Sequence, residues 1–298
     1  MDWKRFADAA SYYQTLPWRE SANRHVCEQD LAPICVLSYH RVANSFPDER
    51  TVSPSLFERQ LDWLQERCDL ISLHEAQYRI RVGRNDRPAV CITFDDGYSD
   101  NCHYAIPLLV ERKIPCTYFV ALDFVLFCLA FPHDVRRGFP LEPNSVQQLK
   151  KMAADGIEIG AHSRTHVDLR KIKDPAVLID EIVTAGRELE ELVEQRINYF
   201  AFPYGHLDNL TATAFRVARE AGYAGVVSAY GGCNFPGDDE FHLQRIQADK
   251  DMIRFRKRMT VDPRPVGVVE PLPTENFVGR IPFTEVSGTT ISENPMAR

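Results

Sequence analysis

The sequence predicts an α/β fold built on a parallel sheet. Short apolar runs rich in β-branched residues, among them residues 34–38, 90–94 and 116–121, alternate with longer amphipathic segments of helical period. Such alternation is typical of strand–helix–strand units, which place their strands parallel in one sheet. The chain has 298 residues, and one α/β barrel domain of about 200–250 residues fits that length. We count seven or eight strands, the last of them at residues 243–246.

The composition divides the chain into three regions. Residues 1–33 form a polar, helical lead-in, and residues 34–259 hold the strands and helices of the barrel. From residue 260 to residue 298 both patterns fail, because six prolines interrupt them. Proline has no amide hydrogen and cannot continue a helix or a central strand. We therefore expect an extended, proline-rich C-terminal tail.

Charge and cysteine usage bear on partners and compartment. The formal net charge of −7 argues against a nucleic-acid partner, which usually needs a basic face. No apolar window reaches the length of a transmembrane segment, and the polar N-terminus has no apolar signal-peptide core. The eight cysteines include no Cys-x-x-Cys pair, and Cys35, Cys91 and Cys116 fall in predicted strands, where thiols behave as small apolar groups. We therefore expect a reduced, cytoplasmic protein.

Two adjacent carboxylates end the strand at residues 90–94. Asp95 and Asp96 follow the apolar run directly, and Gly97 comes next, where a tight turn needs a residue without a side chain. Two neighbouring carboxylates repel each other unless a positive charge offsets the repulsion. A metal ion offsets it when one aspartate is a ligand and the other stays free as a base. For this stretch alone, an Asp-rich turn without a metal is the alternative.

A second strand, at residues 157–161, ends in two histidines. His162 and His166 are four residues apart, a spacing that places both imidazoles on one face of a helical turn. Two imidazoles on one face can chelate one metal ion. A surface helix also produces this spacing by chance, so the pair needs support from other parts of the chain.

A third strand, at residues 198–202, runs into Pro203, Tyr204 and Gly205. Three predicted strands therefore carry polar or turn-forming residues at their C-terminal ends. In α/β barrels the active site lies at that end of the strands. The first strong strand leads to His40 in the same way, so His40 could line the site, although a structural histidine is the alternative.

Together these residues resemble the first three motifs of the NodB-homology polysaccharide deacetylases, which form carbohydrate esterase family four. The motifs occur in the expected order: Thr93-Phe94-Asp95-Asp96-Gly97, then His162-Ser163-x-x-His166, then Pro203-Tyr204-Gly205. The resemblance covers roughly residues 34 to 248. It implies a distorted (β/α) barrel with seven or eight strands. It also implies metal-dependent hydrolysis of an N-acetyl group on a sugar.

The resemblance implies a metal centre. Asp96, His162 and His166 would hold one divalent ion, and three protein ligands with an open position are typical of catalytic zinc sites. Zn²⁺ is the simplest choice, whereas Co²⁺, Ni²⁺, Mn²⁺ or Fe²⁺ also suit a ligand set without a thiolate.

The remaining motif residues would act on the substrate. Asp95, free of the metal, would take a proton from the attacking water, since a nearby cation keeps its carboxylate ionised. The resemblance implies that the backbone N–H of Tyr204, between Pro203 and Gly205, stabilises the oxyanion and helps to bind the substrate.

Two positions depart from the family pattern. The family usually has an arginine two residues before the proline of the third motif, where this chain has Ala201. The last motif usually supplies a histidine as general acid, where this chain has Arg245. We predict that Arg245 reaches inward, pairs with Asp95 and takes over the orienting role of the missing arginine.

The general acid must then come from another histidine, because an arginine cannot donate a proton near neutral pH. We predict that His40 takes this role, with His206 and His242 as the alternatives.

Other interpretations of the sequence remain open. The same machinery suits a metal-dependent amidohydrolase or deformylase acting on a non-sugar amide, and a degenerate barrel could bind a glycan without cutting it. The expected cytoplasmic location favours an N-acetylated sugar, a nucleotide sugar or a lipid-linked glycan as substrate. The apolar residues 124–131 could form a core helix, a contact in a homo-oligomer, or a lip for a lipid-linked substrate.

Overall fold

The computed structural model describes residues 3–260, so the predicted tail beyond Thr260 lies outside the described residues. The strands of this part of the chain are β1 (Ile34–Tyr39), β2 (Arg41–Val42), β3 (Thr51–Val52), β4 (Asp69–Leu70), β5 (Ala89–Phe94), β6 (Cys116–Val120), β7 (Glu158–Ala161), β8 (Tyr199–Ala201), β9 (Gly225–Val227), β10 (His242–Leu243) and β11 (Arg245–Gln247).

Nine of these strands form one sheet in which every ladder is parallel. Eight of them follow the order β10-β9-β8-β7-β6-β5-β1-β11, and β4 pairs with β5 beside that path. β2 and β3 form a separate pair. The eight-stranded path is a nearly closed parallel barrel surrounded by helices, which confirms the predicted distorted (β/α) barrel.

The α-helices of the described chain are α1 (Trp3–Glu28), α2 (Pro54–Arg67), α3 (Leu73–Val82), α4 (Ala105–Glu111), α5 (Leu122–Leu126), α6 (Pro132–Arg136), α7 (Val146–Ala154), α8 (Pro175–Ile179), α9 (Ala185–Val193), α10 (Ala212–Glu220) and α11 (Met252–Arg258). A π-helical turn, Asp180–Thr184, joins α8 to α9. None of these helices is both long enough and apolar enough to cross a bilayer.

Local sequence explains where several helices begin. Ser53 accepts a hydrogen bond from the amide of Leu56, and Pro54 occupies the first turn of α2. Ser145 and Gln148 form a reciprocal capping box at the start of α7. These caps satisfy amides that the first turn of a helix leaves without partners, and so fix the points where the chain leaves the sheet.

The barrel has an interior and an exterior apolar layer. Val36, Cys91, Phe119, Tyr199 and Leu243 belong to the interior cluster, and the buried face of α3 joins the same cluster. Ile34 and Ala89, at the N-terminal ends of β1 and β5, also lie in it, so α3 covers the end of the barrel opposite the strand C-termini. The exterior cluster packs the other face of the strands against the surrounding helices.

The two ends of the strand order come from one short piece of chain, residues 242–247, which we call the seam. β10 and β11 are separated only by Gln244, yet β10 pairs with β9 and β11 pairs with β1. The prediction of a single strand at residues 243–246 is therefore wrong, because the chain crosses there from one edge of the sheet to the other. Asn234 fastens this crossing: its amide N–H donates to Ile34 O at 2.8 Å and its side chain donates to Gln244 O at 3.0 Å.

A disulfide corrects the expectation for Cys35. Cys35, at the start of β1, is bonded to Cys233, 198 residues further along the chain. The pairing could not be predicted because cysteine spacing does not determine connectivity. Six other cysteines are free thiols in the described chain. Since disulfides persist in oxidising compartments, cysteine usage no longer supports a reduced, cytoplasmic protein, and the location stays a prediction.

Candidate active site

The strand β5 ends in a turn that separates the two aspartates. The amide of Asp95 still donates to Tyr39 O at 2.9 Å, so Asp95 continues the line of the strand. Asp96 then adopts a φ of 71° and Gly97 a φ of 78°, a conformation that favours glycine. A Cβ on Gly97 would lie 2.9 Å from Cγ1 of Val120. The predicted need for a glycine therefore has two causes, the backbone angle and the contact with β6.

His162 and His166 lie on an irregular loop, residues 162–166, which we call the histidine loop. The prediction of a helical turn is wrong, because Ser163 and His166 have positive φ values of 62° and 56°. The amide of His166 donates to Oγ of Ser163 at 3.0 Å, and the amide of Leu122 donates to Ser163 O at 3.1 Å. The four-residue spacing still brings the imidazoles together, with ring centroids 4.9 Å apart.

Asp96, His162 and His166 converge. Each offers one ligand atom, and these atoms lie within 4.8 Å of one another. Nε2 of His162 and Nε2 of His166 are 3.6 Å and 3.3 Å from Oδ1 of Asp96. Both oxygens of the Asp96 carboxylate are buried and have no hydrogen-bond partner among the described residues. A buried carboxylate without donors is unfavourable unless a cation offsets its charge, so this cluster fits a divalent metal ion.

The protonation states of these residues suit a metal ligand set. Burial alone would raise the pKa of Asp96, but the close imidazole of His166 and the charges of the other nearby histidines hold that pKa well below its usual range. Burial lowers the pKa of His162 to about 4. Nδ1 of His162 lies 2.8 Å from Ala201 O and can donate only as N–H, which leaves Nε2 with a free lone pair. Metal ions bind the carboxylate and the neutral imidazole, the forms that these shifts favour.

Asp95 has opposite surroundings. Arg245 donates from Nη1 to Oδ1 at 2.7 Å and from Nη2 to Oδ2 at 2.8 Å, and Ser38 Oγ donates to Oδ2 at 3.1 Å. The ion pair that we predicted between Arg245 and Asp95 is therefore present, and both residues are buried. Burial alone would raise the pKa of Asp95, but the adjacent Arg245 and nearby histidines bring it below its ordinary value. Both Asp95 oxygens are thus occupied by donors.

The three candidate general acids lie in different surroundings. His40 and His206 line a cavity of about 130 Å³ together with Asp95, His162 and His166. Nδ1 of His40 is buried without a partner among the described residues. Burial lowers the pKa of His40, against the opposing effect of the nearby Asp96 and Asp95 carboxylates.

The third candidate is not in this cavity. His242 is buried on β10 beside the rings of Phe215 and Tyr230. His242 is not among the described residues that line the cavity. His242 therefore has no access to a substrate bound there.

Pro203, Tyr204 and Gly205 form a tight turn at the cavity. Tyr204 has a φ of 62°, and the amide of Gly205 donates back to Pro203 O at 2.7 Å. A Cβ on Gly205 would lie 2.6 Å from the backbone N of Ala229. Tyr204 is 53% exposed, and its ring is 5.1 Å from the His166 ring. Its backbone N–H has no acceptor within residues 3–260.

Strained backbone is concentrated here. In the described chain, four of the nine non-glycine residues with positive φ belong to this site: Asp96, Ser163, His166 and Tyr204. Such residues are uncommon and tend to occur where function requires a particular geometry.

Sequence reasoning missed three polar residues of the cavity: Ser38, Arg50 and Gln247. Side chains alternate along a strand, so His40 at the end of β1 could have identified Ser38 on the same face. Arg50 lies in the loop before β3, with Nη1 3.7 Å from Oδ2 of Asp96, and no sequence pattern marks it. Gln247 is the last residue of β11, and the predicted single strand at residues 243–246 did not include it.

The apolar residues 124–131 divide into a buried and an exposed part. Phe124 and Phe131 are buried and stacked with ring centroids 4.0 Å apart, and the Phe131 ring lies 5.4 Å from the His166 ring. Phe127 and Leu129 are 64% and 47% exposed. The buried part packs against His166, one of the candidate metal ligands. The contact in a homo-oligomer and the lip for a lipid-linked substrate stay predictions.

Comparison with known proteins identifies relatives of this chain. A family model described as polysaccharide deacetylase matches residues 82–226. The poly-β-1,6-N-acetyl-D-glucosamine N-deacetylase of Staphylococcus aureus (strain MRSA252) is 24% identical over 210 residues, which are 67% of this chain and 69% of that protein. The matched family region contains both aspartates and both histidines, but neither His40 nor Arg245.

Two solved structures are similar over most of the chain. The Streptococcus pyogenes deacetylase PplD, in complex with acetate, aligns with a TM-score of 0.65 at 22% identity, covering 78% of this chain and 99% of that one. IcaB from Ammonifex degensii aligns with a TM-score of 0.64 at 26% identity, covering 76% and 95%.

Proposed function

Since this chain belongs to the polysaccharide deacetylase family, we propose that it removes the N-acetyl group of an N-acetylated glycan or sugar with the help of one divalent metal ion. The observation that carries this proposal is the contrast between two neighbouring buried carboxylates. Asp96 faces two histidines and has no donor, whereas Asp95 is fully paired with Arg245 and Ser38.

Asp96, His162 and His166 would hold the ion. The set of one carboxylate and two imidazoles leaves coordination positions open, as catalytic sites require. Zn²⁺ suits these ligands best, and Co²⁺, Ni²⁺, Mn²⁺ or Fe²⁺ are alternatives. When bound, such an ion lowers the pKa of a coordinated water molecule toward about 7 and polarises the amide carbonyl of the substrate.

Asp95 is the proposed general base. Its carboxylate is ionised, since Arg245 holds its pKa low, and the bidentate ion pair fixes its orientation. Arg245 also donates from Nε to Ser228 O at 2.6 Å and from Nη1 to Oγ1 of Thr93 at 3.1 Å. Arg245 is thus anchored on three sides and acts as the orienting residue that the family pattern places at position 201.

The other steps use Tyr204 and His40, which line the same cavity. The backbone N–H of Tyr204 donates to the oxyanion as the carbonyl carbon becomes tetrahedral, and Pro203 and Gly205 hold that N–H in place. His40, which lines the same cavity, donates in its protonated form the proton that the leaving amine requires. Water supplies the new C–O bond and gives its proton to Asp95, the C–N bond breaks, and acetate and the free amino sugar leave.

The substrate class follows from the family. The staphylococcal relative is named for poly-β-1,6-N-acetyl-D-glucosamine, and we propose an N-acetylhexosamine for this chain. An N-acetylated oligosaccharide, a nucleotide sugar and a lipid-linked glycan all carry that group.

The test measures metal and product in the same preparation. Gently purified protein is analysed for metal by mass spectrometry, then incubated with N-acetylglucosamine oligomers, a nucleotide sugar and a lipid-linked N-acetylhexosamine. We expect about one equivalent of metal and release of acetate, with an His162→Ala protein as the blank. Release of formate from a non-sugar formamide without acetate from any sugar would indicate the deformylase instead. Glycan binding without metal or product would indicate a degenerate binding barrel.

A further inference from the structure

We propose that Glu181 is a positioning residue that holds the histidine loop in its ligand-binding conformation, through the π-helical turn Asp180–Thr184. This inference rests on the proposed metal site, since it concerns the loop that carries two of the three candidate ligands.

Glu181 is buried, and both of its carboxylate oxygens contact the histidine loop. Oε2 accepts from the backbone N–H of Arg164 and from that of Thr165, each at 2.9 Å, and Oε1 accepts from the Thr165 hydroxyl at 2.5 Å. Three donors from two successive residues therefore converge on one side chain. A carboxylate that accepts from backbone N–H groups forms hydrogen bonds about twice as strong as neutral ones.

The remaining backbone groups of the loop are held by other elements. The amide of His162 donates to Val120 O at 2.9 Å, and the carbonyls of Ser163 and Arg164 accept from the amides of Leu122 and Asp123. The junction of β6 and α5 thus binds one edge of the loop. Glu181 binds the opposite edge, where no strand or helix within residues 3–260 supplies a backbone acceptor to the amides of Arg164 and Thr165. Since Ser163 and His166 both have positive φ, the loop needs partners on both edges to keep this conformation.

The π turn has a physical cause in the packing against Tyr223. The amide of Ala185 donates to Asp180 O, five residues earlier, and the Tyr223 hydroxyl donates to Ile182 O at 2.7 Å. Gly186 makes room for this hydroxyl, because a Cβ there would lie 1.9 Å from it. The extra residue of a π turn shifts the helical register, and π turns often occur near functional sites. Here the turn contains Glu181 and lies against the histidine loop.

The expected effect is on metal affinity. Residues that hold ligands in place typically change metal affinity by about 10- to 100-fold when they are removed. Glu181→Ala removes all three acceptor contacts, so we expect Co²⁺ to bind at least about tenfold more weakly. Glu181→Gln keeps an oxygen for the two amides and an NH₂ group that can donate to the Thr165 hydroxyl, so it should restore affinity to within about threefold of the original protein.

Glu188→Ala is the matched control. Glu188 lies on α9, in the same helical segment, and pairs with the guanidinium of Arg164 at 2.8 Å, but in the described chain it accepts no hydrogen bond from a backbone group of the histidine loop. Two measurements are made on the full chain: Co²⁺ affinity by competition with a chelating dye, and hydrogen exchange of the Arg164 and Thr165 amides in metal-free protein. If Glu181→Ala does not fold, the same measurements are made on Thr165→Val, which removes only the hydroxyl donor.

The outcomes separate this inference from the proposed function. Weaker Co²⁺ binding and faster amide exchange in Glu181→Ala, with Glu188→Ala unchanged and Glu181→Gln restored, support the inference. Unchanged exchange, or equal effects of Glu181→Ala and Glu188→Ala, would overturn it. Failure of the unaltered protein to bind Co²⁺ would contradict the proposed metal site, and the exchange rates would still decide whether Glu181 holds the loop.

Discussion

The Asp95 side and the Asp96 side of the active site are built in different ways. On the Asp96 side, a strand-end turn and the histidine loop bring together two imidazoles and a carboxylate that has no hydrogen-bond donor among the described residues. On the Asp95 side, the seam supplies Arg245, which crosses to β5 and neutralises the neighbouring carboxylate. The two aspartates are adjacent in sequence and equally buried, so their surroundings alone distinguish them.

This difference indicates how one turn can provide two chemical roles. A buried carboxylate with three donors needs no further cation, whereas a buried carboxylate with none requires one. The first is available for proton transfer and the second for metal binding. Substitutions on each side of the site, made separately, test whether the two roles are distinct.

The largest expected effect comes from the Asp96 side. His162→Ala removes one of three candidate ligands, so bound metal and acetate release should both fall to background. His74→Ala, which alters an exposed histidine at the start of α3, is the control and should match the original protein. Metal retained at full stoichiometry in His162→Ala would exclude His162 as a ligand.

The next effect isolates the Asp95 side. Asp95→Asn keeps the shape of the side chain but removes its basicity, so kcat should fall by about a thousandfold while metal content stays unchanged. The matched variant Asp96→Asn should lose metal as well as turnover. Equal loss of metal in the two variants, measured by mass spectrometry, would mean that the two aspartates are assigned wrongly.

Arg245→Met should have a smaller effect with a characteristic pH dependence. We expect kcat to fall by about 10- to 100-fold, because the base loses its orientation. Without Arg245, burial raises the pKa of Asp95 unopposed by the guanidinium. The base is then protonated at higher pH, so the acidic limb of the kcat/KM profile moves to higher pH.

Arg245→Lys provides the control for this variant. It keeps the charge and loses the bidentate geometry, so its activity should lie between that of the original protein and that of Arg245→Met. Full activity of Arg245→Met, with an unmoved acidic limb, would contradict the orienting role.

The smallest effect on turnover is expected at His242, which does not line the cavity. Burial lowers the pKa of His242 to about 4, from an ordinary value of 6.5. The unfolded chain therefore binds a proton more readily than the folded one between these values, and stability falls as pH decreases from 6.5 toward 4. Between pH 7 and pH 5 this histidine should remove about 2 kcal/mol from the free energy of unfolding.

Urea unfolding of His242→Phe checks this value. The variant should lose about 2 kcal/mol less than the original protein over that pH range, with an unchanged kcat. An identical pH dependence in both proteins would show that His242 is not the group responsible.

The parts of the site that sequence could predict are those encoded by neighbouring residues. β5 ends at Phe94 and delivers Asp95, Asp96 and Gly97 as predicted, because a short apolar run and a glycine specify both the strand and its turn. The fold class followed from the alternation of strands and helices. The pairing of Arg245 with Asp95 was predicted from the family resemblance, because the orienting arginine is absent at position 201 and an arginine stands in the last motif.

The parts that could not be predicted depend on distant contacts. The helical turn expected for the histidine loop is replaced by a strained loop, because β6, α5 and Glu181 hold the backbone from both edges. The strand at the seam is split, because closing the barrel moves the chain from β9 to β1. The bond from Cys35 to Cys233 joins residues 198 positions apart, and no local pattern contains that information.

Anomalous diffraction from crystals grown with Zn²⁺, recorded at the zinc absorption edge, tests the central claim most directly. The account predicts one peak in the cavity, about 2.0–2.2 Å from a carboxylate oxygen of Asp96 and from Nε2 of both His162 and His166. It also predicts that Asp95 keeps its ion pair with Arg245 and does not bind the zinc. A peak ligated by Asp95, or zinc bound only at other residues, would contradict the account.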